Sequence, residues 1–181
     1  MTSETTIIEN AISQYRKKGL SFTMEDIAKD MHIAKKTIYK FFPSKEALLQ
    51  GIVEYGFSHI QENKQNILQQ DIPYLEKLKK LLIAMPADLE SIDFKQLEPL
   101  QSQYPAVFQS ISTHLSSDWK PVLDFIQKGI DEKIIREIPL YMIEVIVTSS
   151  MSNLLSSSCS PASYQQSIND LADILMKGII L

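Results

Sequence analysis

The feature that most constrains the fold of this 181-residue chain is the spacing of its apolar residues. Almost every segment repeats them with a period near 3.6, and no segment alternates convincingly with a period of two. The pattern therefore predicts an all-α protein. Hydrophobic residues make up 44% of the chain and charged residues 22%, which excludes disorder as the main state. No apolar run approaches the roughly 20 residues that a membrane-spanning helix needs.

Capping signals divide the first part of the chain into short helices. Thr6 and Glu9 fit a capping box at the start of the first helix, and Gly19 is suited to a left-handed stop at its end. Thr23 opens the second helix in the same way, and Ser44 caps the fourth. The four helices are expected over about residues 7–18, 24–31, 35–41 and 45–69.

The remainder of the chain predicts longer helices. Pro121 interrupts an apolar stripe that begins at Pro105, so this helix is either kinked or split near residues 116–118. The helix after Pro139 is apolar on nearly all sides, and we expect it to be buried on more than one side. The helices of this part are expected over about residues 73–85, 94–101, 105–133, 139–155 and 161–179.

The charges are distributed unevenly. Residues 1–50 contain eight Lys and Arg against six Asp and Glu, a net charge of +2. Residues 51–181 contain ten against sixteen, a net charge of −6, and the two parts sum to the −4 of the whole chain. Four lysines and no acidic residue lie between residues 31 and 45. A small basic head on a larger acidic body indicates that the head meets a polyanion.

Two short helices joined by a tight turn, the second of them basic, are the pattern of a helix-turn-helix. At about 100° per residue, three lysines and a tyrosine of the third helix fall within an arc of roughly 140°. They are Lys35, Lys36, Tyr39 and Lys40. Ile38 lies on the other side and would dock the helix on its neighbours. Ammonium groups bind phosphates and guanine edges, and a phenol can donate to a phosphate, so the arc predicts contact with DNA.

At these positions the sequence resembles the tetracycline-repressor (TetR/AcrR) family of bacterial transcription regulators. The resemblance covers about residues 5–55, and the matching residues are Thr23, Ile27, Ala28, Ile33, Thr37, Ile38, Tyr39, Phe42, Lys45, Glu46 and Leu48. Two positions depart from the family pattern: His32 stands where Gly is usual, and Ala34 stands where Ser or Thr is usual. We therefore expect a positive φ at His32 and a third helix without a side-chain cap.

The resemblance implies a role for each matching position. Thr23 and Tyr39 would contact phosphates, and Lys45 would bring its backbone N–H and its ammonium to another. The other candidates would lie in or beside the major groove, and they are Lys35, Lys36, Thr37 and Lys40. The resemblance further implies a DNA-binding head over residues 1–46 and a ligand-binding and dimerisation body over residues 47–181.

The body would hold a small-molecule pocket. Its candidate lining residues lie on or beside the inward faces of the body helices: Tyr55, His59, Met85, Phe108, Trp119 and Asn153. Their aromatic and Met content favours a largely apolar ligand, and plain core packing is the alternative for each of them. The last two helices would pair with a second subunit through Ile143, Val147, Met151, Leu154, Ile168, Leu171 and Leu175.

Together these features predict a homodimeric transcription regulator, a repressor rather than an activator, that binds palindromic double-stranded DNA and responds to a small-molecule effector. It is expected in the cytoplasm, on the nucleoid when bound to DNA, and without a membrane partner. The sequence contains no nucleophile elbow, phosphate-binding Gly loop or paired-carboxylate site, which argues against an enzyme. Its three His and single Cys show no metal-ligand spacing, so we expect no metal or cofactor. The alternative is a helical small-molecule-binding or protein-interaction module with little DNA binding.

Overall fold

The computed structural model describes residues 2–84, 98–156 and 161–180. Within these ranges the regular structure is helical, apart from an isolated β-bridge between Ile135 and Ile180, which confirms the all-α prediction. None of the described helices is long and apolar enough to cross a membrane. The α-helices are α1 (Glu4–Lys18), α2 (Met24–Asp30), α3 (Lys35–Tyr39), α4 (Lys45–Gln69), α5 (Tyr74–Leu82), α6 (Glu98–Gln103), α7 (Pro105–Ser117), α8 (Lys120–Asp131), α9 (Leu140–Ser156) and α10 (Pro161–Ile179).

Reciprocal caps set the starts of the first two helices. The Ser3 hydroxyl accepts a hydrogen bond from the Thr6 N–H at 3.2 Å, and the Ser3 N–H donates to the Thr6 hydroxyl at 2.9 Å. The predicted cap at Thr6 is therefore wrong, because Ser3 takes that role and places Thr6 inside the first turn. Thr23 caps α2 as predicted, and Asp26 completes its capping box.

The first core cluster joins the head to the body. From the head it contains fully buried side chains that include Ile7, Phe22, Ile27 and Ile38, and from the start of α4 it contains Leu48. From α6, α7 and α10 it contains Leu100, Val107 and Ile168. Because these side chains form one buried cluster, the head is packed directly on the body.

The long helix α4 extends through both parts. Ser44 caps it as predicted, since the Ser44 hydroxyl accepts from the Ala47 N–H at 3.0 Å, and the helix ends at Gln69 as predicted. It packs against α1 in the head and against α5 and α7 in the body. α4 is therefore a direct structural connection between the head and the body.

The apolar stripe that begins at Pro105 is split into two helices. α7 ends at Ser117 and α8 begins at Lys120, with Asp118 and Trp119 between them. Pro121 lies in the first turn of α8, where a missing N–H removes no helical hydrogen bond. Inside a continuous helix its ring would clash with the carbonyl four residues earlier, and this is the physical reason for the break.

The second core cluster fills the rest of the body. Its buried side chains come from α5, α8, α9 and α10 and include Leu78, Leu81, Val122, Ile126, Val147 and Met176. Only one side of α9 takes part in it. Tyr141 and Val145, on another side of α9, remain 65% and 48% exposed. Within a single protomer this helix is buried on one side, and burial on a further side, as expected from the sequence, would need a partner that covers Tyr141 and Val145.

Replacement of Leu48 by Ala should lower the free energy of unfolding by about 2–5 kcal/mol, because it leaves a cavity at a fully buried position. Leu48 belongs to the cluster shared by head and body, so urea unfolding followed by circular dichroism and by Trp119 fluorescence should shift to the same lower midpoint. The control is Gln65→Ala on the exposed side of α4, expected within about 0.5 kcal/mol of wild type. Two separate transitions in the Leu48 variant would contradict a shared core.

Candidate nucleic-acid interface and body cavity

The turn between α2 and α3 places the two helices of the helix-turn-helix. His32 has a φ of 54°, as expected from a histidine at a position that favours glycine. Its strain is offset by backbone hydrogen bonds, since the N–H of Ile33 donates to the carbonyl of Ala28 at 2.9 Å. Ala34 is the N-cap of α3 and makes no side-chain cap, also as expected. The turn is therefore held by backbone bonds.

We call the outward side of α3 the recognition face and define it by Lys35, Lys36, Tyr39 and Lys40. All four residues are exposed, with Tyr39 at 41%, whereas Ile38 is completely buried in the first core cluster. Thr37 is half-buried beside this face. Neither Lys36 nor Lys40 forms an ion pair with any residue in the described part of the chain. The face thus presents solvated cations and a phenol, which can bind phosphates and base edges.

Lys35 differs from the other two lysines because Glu25 of α2 holds its ammonium in an ion pair. The hydrogen bond from Lys35 to Glu25 raises the pKa of Lys35. The Lys35 ammonium also lies 5.8 Å from the centre of the Tyr39 ring. Exposed pairs of this kind contribute little to stability, so a DNA phosphate can replace Glu25 at small cost.

The hydroxyl of Thr23 is engaged in the cap of α2. It accepts from the Asp26 N–H at 3.1 Å and lies 2.9 Å from the Asp26 carboxylate, to which it donates. The hydrogen bond from Lys18 and those from Thr23 lower the pKa of Asp26 to about 2. Asp26 is therefore ionised at neutral pH, and its carboxylate accepts the hydrogen bond of the Thr23 hydroxyl. Because this hydroxyl is already engaged, the backbone N–H groups in the first turn of α2 are the better donors to a phosphate.

The ammonium of Lys45 points away from the recognition face. It donates to the carbonyl of Leu20 and lies 4.5 Å from the centre of the Phe22 ring and 5.9 Å from that of Tyr104. Burial lowers the pKa of Lys45. Only the backbone N–H of Lys45, at the start of α4, remains free to approach a phosphate as predicted. The side chain instead connects the head to Tyr104 at the start of α7, a role that the sequence analysis missed.

The structure does not gather the six predicted ligand-binding residues into one site. Tyr55 and His59 pack on each other along α4, with ring centres 4.0 Å apart, and Phe108 is half-buried on α7. Asn153 is exposed and lines an open groove between α9 and α10. Met85 lies outside the described residues. Of the five that are described, Trp119 alone lines a partly open cavity in the body.

That cavity has a volume of about 60 Å³ and lies between α4, α5, α7, α9 and α10. Its lining is mostly apolar, with Ile60, Leu82, Leu115, Trp119, Met151 and Ile168 among its residues. Lys64 also lines it and is only 5% exposed. Its ammonium donates to the carbonyl of Asp118 at 2.9 Å and lies 4.8 Å from the centre of the Trp119 ring. Lys64 was not among the residues predicted from the sequence, although it interrupts the apolar stripe of α4 between Ile60 and Ile67.

His114 of α7 borders the same cavity and holds two acidic groups. Its ring nitrogens lie 3.2 Å from a carboxylate oxygen of Glu54 and 3.2 Å from one of Asp118. Phe57 stacks on the imidazole with ring centres 4.5 Å apart. The Asp118 carboxylate additionally accepts from the Ser117 hydroxyl at 3.1 Å. The acidic groups at this rim therefore lie within hydrogen-bond distance of His114, and Asp118 acts on Lys64 through a longer-range attraction.

The residues predicted at the dimer interface do not share one outward face. Ile143, Val147, Ile168 and Leu175 are each at most 7% exposed and point into the core of their own protomer. Met151, Leu154 and Leu171 are half-buried. The large apolar side chains that remain exposed on the last two helices are Tyr141, Met142, Val145, Ile146 and Ile174. The amphipathic stripe that sequence analysis identified is thus the inward side of these helices.

Replacement of Lys64 by Met should raise the free energy of unfolding at pH 7. Burial lowers the pKa of Lys64 to about 8, below its ordinary value of 10.5. Between these values the unfolded chain binds more protons than the folded one, so wild-type stability should rise as the pH increases from about 8 to 10.5. Met removes the buried charge, and we expect a gain of about 1–3 kcal/mol at pH 7 after the loss of one hydrogen bond.

The measurement is urea unfolding at pH 7 and at higher pH, at equal protein concentration. The matched control is Lys120→Met on the exposed side of α8, which should keep the wild-type rise. A Lys64→Met variant that is less stable than wild type at pH 7 and still shows that rise would refute the cost assigned to this cation.

Comparison with known proteins supports this description of the head. Residues 7–52 match the sequence family described as bacterial regulatory proteins, tetR family. The chain is 26% identical over 133 residues to the uncharacterized HTH-type transcriptional regulator YvaF of Bacillus subtilis (strain 168), covering 73% of this chain and 70% of that protein. It is 33% identical over 104 residues to the uncharacterized HTH-type transcriptional regulator YuxN of the same organism, covering 56% of this chain but only 36% of that protein.

The fold of the whole chain is shared with solved structures. A transcriptional regulator from Cytophaga hutchinsonii ATCC 33406 superposes with a TM-score of 0.77 at 19% identity, and the match covers 98% of each chain. At this identity the similarity shows the fold of the whole chain. The recognition that the sequence suggested is confirmed at the head: residues 7–52 match the tetR family of bacterial regulatory proteins, whose members are DNA-binding transcriptional regulators and not enzymes.

Proposed function

We propose that this regulator is a homodimeric repressor that binds a palindromic operator through its head, residues 1–46, and leaves it when a small molecule binds in its body, residues 47–181. The observation that carries the proposal is the recognition face. Its side chains project from α3 into solvent on the side opposite the buried Ile38. A stable apolar anchor behind an exposed row of cations suits a helix that enters the major groove.

On this proposal each predicted residue of the head has a role in DNA binding. Lys36, Lys40 and Tyr39 approach DNA directly, with Thr37 beside them, and Lys35 joins them when a phosphate replaces Glu25. The first turns of α2 and α4 offer backbone N–H groups to phosphates, near Thr23 and at Lys45. Most of the affinity on this scheme comes from phosphate neutralisation and falls as the salt concentration rises.

Ligand binding would release DNA through the two helices that connect the cavity to the head. α4 carries Leu48 in the head core and Lys64 at the cavity, while α7 carries Val107 at the head core and Leu115 at the cavity. The cavity of about 60 Å³ is smaller than the roughly 300 Å³ of ordinary ligand sites. A ligand that needs more room binds better to another arrangement of α4 and α7, and it shifts the protein toward that state.

Dimerisation is supported by an apolar surface that one protomer leaves uncovered. We call it the outer face, made of Tyr141, Met142, Val145 and Ile146 of α9 and Ile174 of α10. Ile174 is 68% exposed, and the small Ser149 lies beside it in the groove between the two helices. A two-fold axis through this face would place two recognition faces one DNA turn apart, roughly 34–36 Å, and would require a palindromic operator.

The recognition face can be tested with duplex DNA from the promoter of the protein's own gene. Lys36→Ala should weaken binding and flatten the slope of log K against log salt by about 0.9, because one phosphate contact is lost. Lys45→Met should leave that slope as in wild type, since the Lys45 ammonium is bound to the carbonyl of Leu20. Equal slopes for wild type and the Lys36 variant would remove α3 from the interface, and absence of any salt-dependent binding would overturn the proposed function.

The outer face can be tested by a single charge. Ile174→Glu should produce monomers with greatly weakened operator binding, because it would bury an unpaired carboxylate between subunits. The control is Gln65→Glu, which adds the same charge on the exposed side of α4 and should leave the dimer intact. Sedimentation velocity at micromolar concentration reports both results. A wild-type protein that sediments as a stable monomer would contradict the dimer and with it the two-half-site operator.

A further inference from the structure

We infer that the effector is an amphipathic carboxylate, an apolar molecule with one carboxylate group, and that Lys64 binds this group inside the body cavity. The inference rests on the proposed function, because it names the ligand class of the cavity through which release would act. It replaces the largely apolar ligand expected from the aromatic and Met content of the body.

The first support is the incomplete pairing of a buried ammonium. Lys64 is only 5% exposed, and its ammonium has three donors. One of them is used by the carbonyl of Asp118 at 2.9 Å, and the face of Trp119 lies on another side at 4.8 Å. Within the described part of the chain Lys64 forms no ion pair with a carboxylate. Buried cations are ordinarily paired with an anion at hydrogen-bond distance. Here the Asp118 carboxylate attracts the Lys64 ammonium only from beyond that distance, so the counter-charge is incomplete.

The second support is the surroundings of that ammonium. The Asp118 carboxylate, which also borders the cavity, is bound to His114 at 3.2 Å and to Ser117 at 3.1 Å. The other lining residues are mainly aliphatic or aromatic. An ammonium that has no carboxylate at hydrogen-bond distance in a mostly apolar cavity favours a ligand with one anionic group and an apolar remainder, because a neutral ligand would leave this pairing incomplete. A cationic ligand would be repelled.

The third support connects this recognition to release. The Asp118 carbonyl follows the last turn of α7 and accepts from both Lys64 at 2.9 Å and Gln61 at 3.3 Å, so it ties α4 to the end of α7. A ligand carboxylate attracts the Lys64 ammonium more strongly than a neutral carbonyl does. Transfer of this donor to the ligand loosens the tie between α4 and α7 at the cavity. The other ends of both helices lie in the head core.

The inference can be tested by calorimetry with four probes: octanoate, decanoate, 1-octanol and 1-decanol. Each carboxylate should bind wild-type protein at least about tenfold more tightly than the alcohol of the same chain length, because a charged hydrogen bond forms with Lys64. Lys64→Met should abolish this preference, and Lys64→Arg should keep it. The matched control is Lys77→Met, since Lys77 also donates to a helix carbonyl, that of Leu68 at 3.1 Å, but does not line the cavity.

Three results would overturn the inference: equal binding of acid and alcohol to wild type, a preference that survives in Lys64→Met, or failure of both carboxylates to bind at millimolar concentration. Gel-shift measurements on the same preparations separate this inference from the proposed function. Operator binding without Lys64-dependent carboxylate binding refutes only the ligand class. Lys64-dependent carboxylate binding by a protein that binds no operator DNA refutes only the proposed function.

Discussion

The packing of α4 along α7 is the contact on which the rest of this structure depends. At one end the two helices share the first core cluster with the helix-turn-helix, through Leu48 and Val107. At the other end they enclose the cavity, where Lys64 reaches from α4 to the Asp118 carbonyl at the end of α7. On the proposed mechanism, a change in separation at the cavity would be transmitted to the head, because close-packed protein interiors transmit strain.

The all-α architecture and the head could be predicted from the sequence because their signals are local. The capping box at Thr23, the cap at Ser44 and the buried Ile38 each depend on residues within a few positions of one another. The first cap was misplaced at Thr6 because a local signal does not choose between two neighbouring cap residues. Two overlapping cap patterns compete there, and the sequence does not show that the chain is ordered as far back as Ser3.

The body site could not be predicted because its residues meet only through packing between distant helices. Periodicity identified the apolar stripes of α9 and α10. Whether such a stripe faces the core of its own protomer or a second subunit depends on tertiary packing, which periodicity does not report. Ile143 and Leu175 face their own core. Lys64 was missed because a lysine in an apolar stripe ordinarily extends its ammonium to solvent. Here Trp119 and the end of α7 cover it.

The lysines of this chain show how surroundings assign different functions to one side chain. Lys36 and Lys40 are exposed, so they keep the hydration and mobility that suit exchange with phosphates. Lys45 is held over aromatic rings and a carbonyl, where it fastens the head to the body. Lys64 is buried with no carboxylate at ion-pair distance among the described residues, an arrangement that lowers stability and is typical of a functional site.

The unequal net charges of the two parts of the chain also affect how the protein approaches DNA. The body carries a net charge of −6 and the first 50 residues +2. DNA is therefore repelled by the larger part of the surface and attracted by the smaller part. The long-range field alone then turns the recognition face toward the duplex before any contact forms. The same acidic surface would slow the approach of an anionic effector, so the Lys64 site has to obtain its affinity from contacts inside the cavity, where screening is weak.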